Sequence, residues 1–227
     1  MSAQSLEIFA RILTAIGWVF LPLALLPLAQ LLLPKSIFIS SLTRNLVTII
    51  DGVSNGLGEA VKWALPLLVI AIVVSIIGLS IFGISFTKLD ELPVYLHASL
   101  IMLGSAATLL AGQHVRVDIF HSRFSPKRRA MVDIIGFYAL IMPVCLIILW
   151  TSQSFVAGSW ASFEGSSDSD GIRGVFYLKT LLPLFAVMML MQGAAIAGRA
   201  AHLRTGHALP PRPRHIAPLF EKTGEKQ

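Results

Sequence analysis

Trp63-Ala-Leu-Pro-Leu-Leu-Val-Ile-Ala-Ile-Val-Val-Ser-Ile-Ile-Gly-Leu-Ser-Ile-Phe-Gly-Ile-Ser-Phe86 decides the fold of this chain. The run contains no Asp, Glu, Lys or Arg. A helix needs about 20 apolar residues to cross roughly 30 Å of hydrocarbon, and this run supplies them. Lipid leaves the hydrogen bonds of an open strand edge unmet, so a helix is the expected form. Working outward, four more runs share the pattern: Ile12 to Leu33, Leu92 to Leu110, Ile134 to Phe155 and Thr180 to Gly198. The composition agrees, with 13% charged residues, 55% hydrophobic residues and a mean hydropathy of +0.76. A soluble domain carries about 25% charged residues, so lipid must be most of the solvent here.

The sequence therefore predicts an all-α polytopic membrane protein. It has a four-helix core, an extra N-terminal span and an amphipathic interfacial helix. Pro22, Pro27 and Pro34 interrupt the first run, which reads as a kinked span or as a helix part-way into the interface. Leu42, Leu46, Ile49, Ile50, Val53, Leu57 and Val61 recur at spacings of three and four. Arg44, Asp51, Asn55, Glu59 and Lys62 fall between them. That pattern predicts a helix lying along the membrane surface with its charges in water, although Gly52, Gly56 and Gly58 weaken it. Residues 204–227 read as a tail, and Pro210-Pro-Arg-Pro-Arg214 favours an extended or disordered form.

Orientation follows from the basic residues. Placing the N-terminus outside the cytoplasm puts 34–62, 111–133 and 199–227 inside. Those segments hold fourteen of the eighteen Lys and Arg residues, leaving Arg11, Lys88, Arg173 and Lys179 outside. The positive-inside rule thus favours an external N-terminus and a cytoplasmic C-terminus. No cleavable signal peptide is expected. The single cysteine, Cys145, lies within a span and has no intrachain partner for a disulfide.

Few side chains invite chemistry. His114 and Asp118 are four apart, a spacing that can hold a metal on a helix. Two ligands make a partial set, however, and the alternation of Val115, Val117 and Ile119 fits an extended turn better. His97 is the ionisable side chain well inside a span and reads as a helix–helix contact. Asp90 and Glu91 suit the dipole at the start of the third span. Lys127-Arg128-Arg129 reads as a topology signal, and the basic surface is too small for nucleic acid. No nucleophile triad, zinc motif or phosphate loop appears. No enzyme activity, metal or cofactor is expected.

Several residues together resemble a known family. They are Asp90-Glu91-Leu92 and Tyr95, Ala107-Thr108-Leu109, and His114-Val-Arg116-Val-Asp118-Ile-Phe120. Ser125-Pro126, Asp133, Trp150, Gly171-Ile172, Lys179-Thr-Leu-Leu-Pro183 and Gln192-Gly193 follow. The pattern is similar to the small membrane subunit (Q-type, DctQ-like) of tripartite ATP-independent periplasmic transporters, or TRAP transporters. The resemblance runs from about Leu46 to Leu203. It departs at Leu79-Ser80-Ile81-Phe82, where the family often has Arg-Tyr-x-Phe, and at His97, where an apolar residue is usual.

The resemblance implies a DctQ-like domain over 36–203, preceded by an extra hydrophobic helix in 1–35. It implies a bacterial inner-membrane location. A periplasmic binding protein would capture a small solute, often an organic acid, and a large membrane subunit would move it with a sodium gradient. This chain would scaffold that subunit within the lipid bilayer, with Glu91, Tyr95, His97, His114, Arg116, Asp118, Ser125, Pro126, Asp133 and Lys179 as candidate interface or hinge residues. Two other readings compete. One is a membrane-embedded metal or haem enzyme subunit using His97 and His114, which would sit at different depths. The other is a stand-alone channel or lipid-binding protein.

Overall fold

The computed structural model describes residues 23–112, 124–213 and 216. Within them the chain is helical: α1 (Leu26–Leu32), α2 (Ile37–Val61), α3 (Ala64–Phe82), α4 (Thr87–Ala111), α5 (Pro126–Gly136), α6 (Met142–Ser162) and α7 (Val175–Thr205). A π-helical turn, Phe137–Ile141, joins α5 to α6. Four stretches are long and apolar enough to cross a membrane: Ile37–Phe82, Thr87–Ala111, Pro126–Ser162 and Val175–Thr205. The all-α polytopic reading is thus met. Most of the first apolar run, Ile12 to Leu33, lies outside the described residues.

The helices form where lipid and glycine chemistry require them. α3 is apolar on every side and is only 6% buried across its most apolar window, so hydrocarbon can solvate all of it. Gly83, at φ +64°, ends α3 in a left-handed conformation that a side chain would strain. Its N–H bonds the Leu79 carbonyl at 3.2 Å, and the Ile84 N–H reaches Gly78 at 3.1 Å. In α4, Pro93 sits inside the helix. Its missing N–H is a defect that membrane helices tolerate. α5 starts at Ser125-Pro126, where proline at the first position sacrifices no helical bond and the Ser125 carbonyl accepts from the N–H groups of Arg128 and Arg129 at 2.9 and 3.0 Å.

The described chain divides into two compact units. One comprises 23–52, 110–112, 124–143 and 190–213. Here Val47 and Ile50 of α2 pack against Ala195 of α7, with Leu46 and Met191 alongside. Small residues on α7 let neighbouring helices approach closely. A Cβ at Gly198 would lie 2.9 Å from Val47 Cγ2 and 3.0 Å from Thr43 Cγ2. One at Gly193 would lie 2.7 Å from the Phe137 ring. Phe137 is fully buried in the π turn, and the next residue, Tyr138, donates its hydroxyl to the Ala24 carbonyl at 2.7 Å.

The other unit comprises 53–109 and 144–189. In it α2 meets α4 where a Cβ on Gly58 would collide with that of Ala107. The glycine that weakens α2 by propensity is therefore the residue that permits this contact. The loop 163–174 joins α6 to α7 and belongs to this unit.

Gly193→Val should overpack the Phe137 turn and cost about 1–3 kcal/mol. A lowered melting temperature and reduced monodisperse yield in detergent would show this. Gly136→Ala, where a Cβ meets nothing within 4 Å, should leave both unchanged or slightly improved.

Candidate functional site: a buried ion pair and a tethered loop

The α2 stripe that faces inward is Thr43, Val47, Ile50, Asp51 and Ser54, all 2% exposed or less. This corrects the expectation that the polar residues of 42–62 face water. Asp51 points into the fold, whereas Ile49 and Val53 on the apolar side are 64% and 42% exposed. Arg44, Glu59 and Lys62 do lie outside, with Lys62 and Glu59 paired one turn apart. The inversion at Asp51 has a physical cause. Hydrocarbon accepts exposed Ile and Val without penalty, while an ionised carboxylate needs a charged partner.

That partner is Arg199 of α7, also 2% exposed. Its guanidinium forks onto the carboxylate: Nη1 donates to Oδ1 at 3.1 Å and Nη2 pairs with Oδ2. Gln192, two turns earlier on α7, donates Nε2 to the same Oδ1 at 3.1 Å. Arg199 Nη2 also donates to the Pro211 carbonyl at 3.0 Å. A turn further along α7, His202 is buried between Ser40, at 3.3 Å, and the Gly198 carbonyl, at 3.0 Å. The stretch after α7, read from sequence as the start of a tail, has no regular secondary structure over 207–213, and Pro210 is buried in it. Arg212 adds a second tie there, donating to the Leu110 carbonyl at 2.5 Å near the end of α4. That carbonyl is one of those a helix terminus leaves without an internal partner.

A second set of polar contacts holds the 163–174 loop. Glu91 accepts from the Ile172 N–H at 2.7 Å and from the Ser166 hydroxyl. Tyr95 donates to the Ile172 carbonyl at 3.4 Å. Lys179 donates to Glu164 at 2.5 Å and lies 4.1 Å from the centre of the Phe155 ring. Lys88 pairs with Asp170 at 2.9 Å. Trp160 donates to Thr180 at 2.8 Å and its ring stacks near Phe176, centroids 4.7 Å apart. The salt bridge from Lys179 holds the Glu164 carboxyl below its usual range.

The structure thus gathers three candidate residues, Glu91, Tyr95 and Lys179, around one loop. His97 is exposed on α4, and no described residue hydrogen-bonds it. Ser125 and Pro126 start α5, and Asp133 is half-buried along it. His114, Arg116 and Asp118 lie outside the described residues. Among the described residues no cluster of three or more His, Cys, Asp or Glu could hold a metal. Sequence reasoning missed the Asp51–Gln192–Arg199 cluster. Its one signal is spacing: Asp51 falls on the same helical face as Thr43, Val47 and Ser54.

Removing one partner of a buried ion pair leaves an uncompensated charge, at a cost of about 3–5 kcal/mol. Arg199→Met should lower the melting temperature accordingly, and Asp51→Leu combined with Arg199→Met should recover most of the loss. At the loop the sign follows from the depressed acid. Its contribution is complete above the ordinary glutamate value of 4.5 and is lost as pH falls through the lower folded value. Acid titration of proteolytic cleavage within 163–174 should therefore show an increase as pH falls below 4.5, and Glu164→Gln should lessen that increase.

Residues 68–204 match the family model for tripartite ATP-independent periplasmic transporters, DctQ component. Neither the curated proteins nor the solved structures yield a match. The matched region begins within α3 and takes in Gln192 and Arg199, while Asp51 lies before it. It covers more than half of a chain whose described helices include four able to cross a membrane. The chain therefore belongs to the DctQ family and is the small permease component of a TRAP transporter, a multi-pass membrane protein that works within a multi-component complex.

Proposed function

We propose that this chain is a static scaffold for the large membrane subunit during sodium-driven uptake of a small solute of the organic-acid class. The solute is delivered by a periplasmic binding protein that engages the complex transiently. One observation carries the scaffold role: the charged pair inside the fold is closed on itself. Asp51 takes its bonds from Arg199 and Gln192 in a fixed fork, with both charges 2% exposed, rather than opening onto a path for an ion or solute. Gln192 Oε1 and Arg199 Nε stay buried without a hydrogen-bond partner among the described residues. A bidentate arginine–carboxylate pair in low dielectric resists rearrangement, which suits a part that must stay still while another moves.

The distribution of Lys and Arg supports a bacterial inner-membrane orientation with the C-terminus in the cytoplasm and, with five spans, the N-terminus in the periplasm. The 163–174 loop is then periplasmic. The 113–129 segment is cytoplasmic, and its Arg116 and Asp118, with Ser125, Pro126 and Asp133, form an assembly surface for the large subunit. In this reading 36–203 is the DctQ-like domain, and 1–35 and 204–227 flank it.

Reconstitution tests the proposal. Proteoliposomes holding this chain and the large subunit, supplied with binding protein and an inward sodium gradient, should accumulate solute. This chain alone should not. Flux from the chain alone, or full uptake by the large subunit without it, would overturn the scaffold role. Arg116→Ala with Asp118→Ala should reduce recovery of the complex severalfold; unchanged recovery and uptake would remove the hinge from the interface.

A further inference from the structure

The exposed stripe of α4 runs through Val94, His97, Ile101 and Thr108, at spacings that place them along one helical face. Val94 and Ile101 are 57% and 50% exposed, and the imidazole between them is exposed too. The charge-free part of α4 begins at Leu92, past Lys88, Asp90 and Glu91, so five residues of rise set His97 about 7.5 Å into the apolar span. That is inside a hydrocarbon layer roughly 30 Å thick, short of its middle. Lys88 is too far away to draw the ring to the surface, and histidine is too short to reach the interface as lysine and arginine do. No described residue hydrogen-bonds the ring. Aliphatic neighbours such as Val94 and Ile101 are at home against lipid. The imidazole is not, because acyl chains offer neither a donor nor an acceptor.

We propose that the Val94–His97–Ile101 face of α4 packs against a membrane helix of the large TRAP subunit, where His97 makes an interhelical hydrogen bond to a polar side chain or freed carbonyl. This rests on the scaffold reading and adds a location to it. The choice of occupant follows from the chemistry of the stripe. Lipid alone leaves the ring unpaired, whereas a protein helix brings a partner and fits between the flanking aliphatic side chains. Membership in a tripartite transporter family supplies such a membrane partner. α3 contrasts with this stripe: its exposed Ile70, Val73 and Ile77 are aliphatic, and it carries no ionisable side chain.

The full complex, co-expressed and purified through a tag on this chain, gives the test. Val94→Cys and Ile101→Cys, in a Cys145→Ser background, are treated with a short cysteine-to-amine or photoactivated cross-linker, with Ile77→Cys on α3 as the comparison. The expected result is an adduct to the large subunit from positions 94 and 101, and a much weaker one from position 77. His97→Leu should reduce recovery of the large subunit by roughly threefold to thirtyfold, the range of interhelical hydrogen bonds in bilayers. The melting temperature of the isolated chain should stay the same, and His97→Asn should restore part of the recovery. Adducts to a second copy, to residues 1–22 of the same chain or to lipid alone would overturn the proposal, as would unaltered recovery with His97→Leu. If the unmodified chain recovers no large subunit, the scaffold reading fails first. If it does recover the subunit while positions 94 and 101 stay silent, only the α4 face is refuted.

Discussion

The pairing of Asp51 with Arg199 is the constraint on which the first unit depends. Two opposite charges, each 2% exposed, must meet in one geometry or not be buried at all. Once they meet, the register of α2 against α7 is fixed to within a hydrogen bond. The small residues around them then become necessary. Gly198 lies where α2 presses closest, and Ala195 admits Val47 and Ile50. Apolar packing alone would tolerate a slip of one helical turn, since lipid-facing and helix-facing aliphatics are chemically alike. A forked ion pair with Gln192 on the same oxygen does not tolerate it. The cluster therefore specifies the packing more than it deepens the stability, as expected when the desolvation of two charges largely offsets their attraction.

The second unit uses polar contacts differently. Its charges lie at the helix ends and in the 163–174 loop, where water competes, and each pair is individually weak. Their effect comes from convergence. Glu91, Tyr95, Lys88 and Lys179 stand at the starts of α4 and α7, and all four reach the same short segment. The loop is thus tied from two helices at several points, while aromatic contacts among Trp160, Phe163 and Phe176 anchor its base.

Much of this was legible in the residues. Charge-free runs marked the spans because hydrocarbon thickness sets their length. The resemblance over Glu91, Tyr95 and Lys179 pointed to positions that the structure gathers around one loop, although their clustering could not be read from spacing. Asp51 was misassigned for an instructive reason. A rule that charged faces point to water assumes water on the outside, and on α2 the outside is rich in exposed Ile and Val. Arg199 was counted toward orientation because it stands at the end of an apolar run. Nothing local tells such an arginine from one that also closes a buried pair 148 residues away. For His97 the sequence gives depth along a helix but not the side to which the residue points.

The separation between Asp51 and Arg199 also sets an order of events during synthesis. Asp51 leaves the ribosome early, whereas its partner follows 148 residues later, after about 7–30 s at roughly 5–20 residues per second. For that interval the first half of the chain carries a carboxylate that lipid rejects, so α2 must wait at the water boundary or against the insertion machinery. α7 brings the missing charge, and the Pro211 carbonyl that also accepts from Arg199 comes later still. The helix made near the start thus takes its final place only when the last one arrives, and a chain truncated before Arg199 keeps an exposed mark of its own incompleteness.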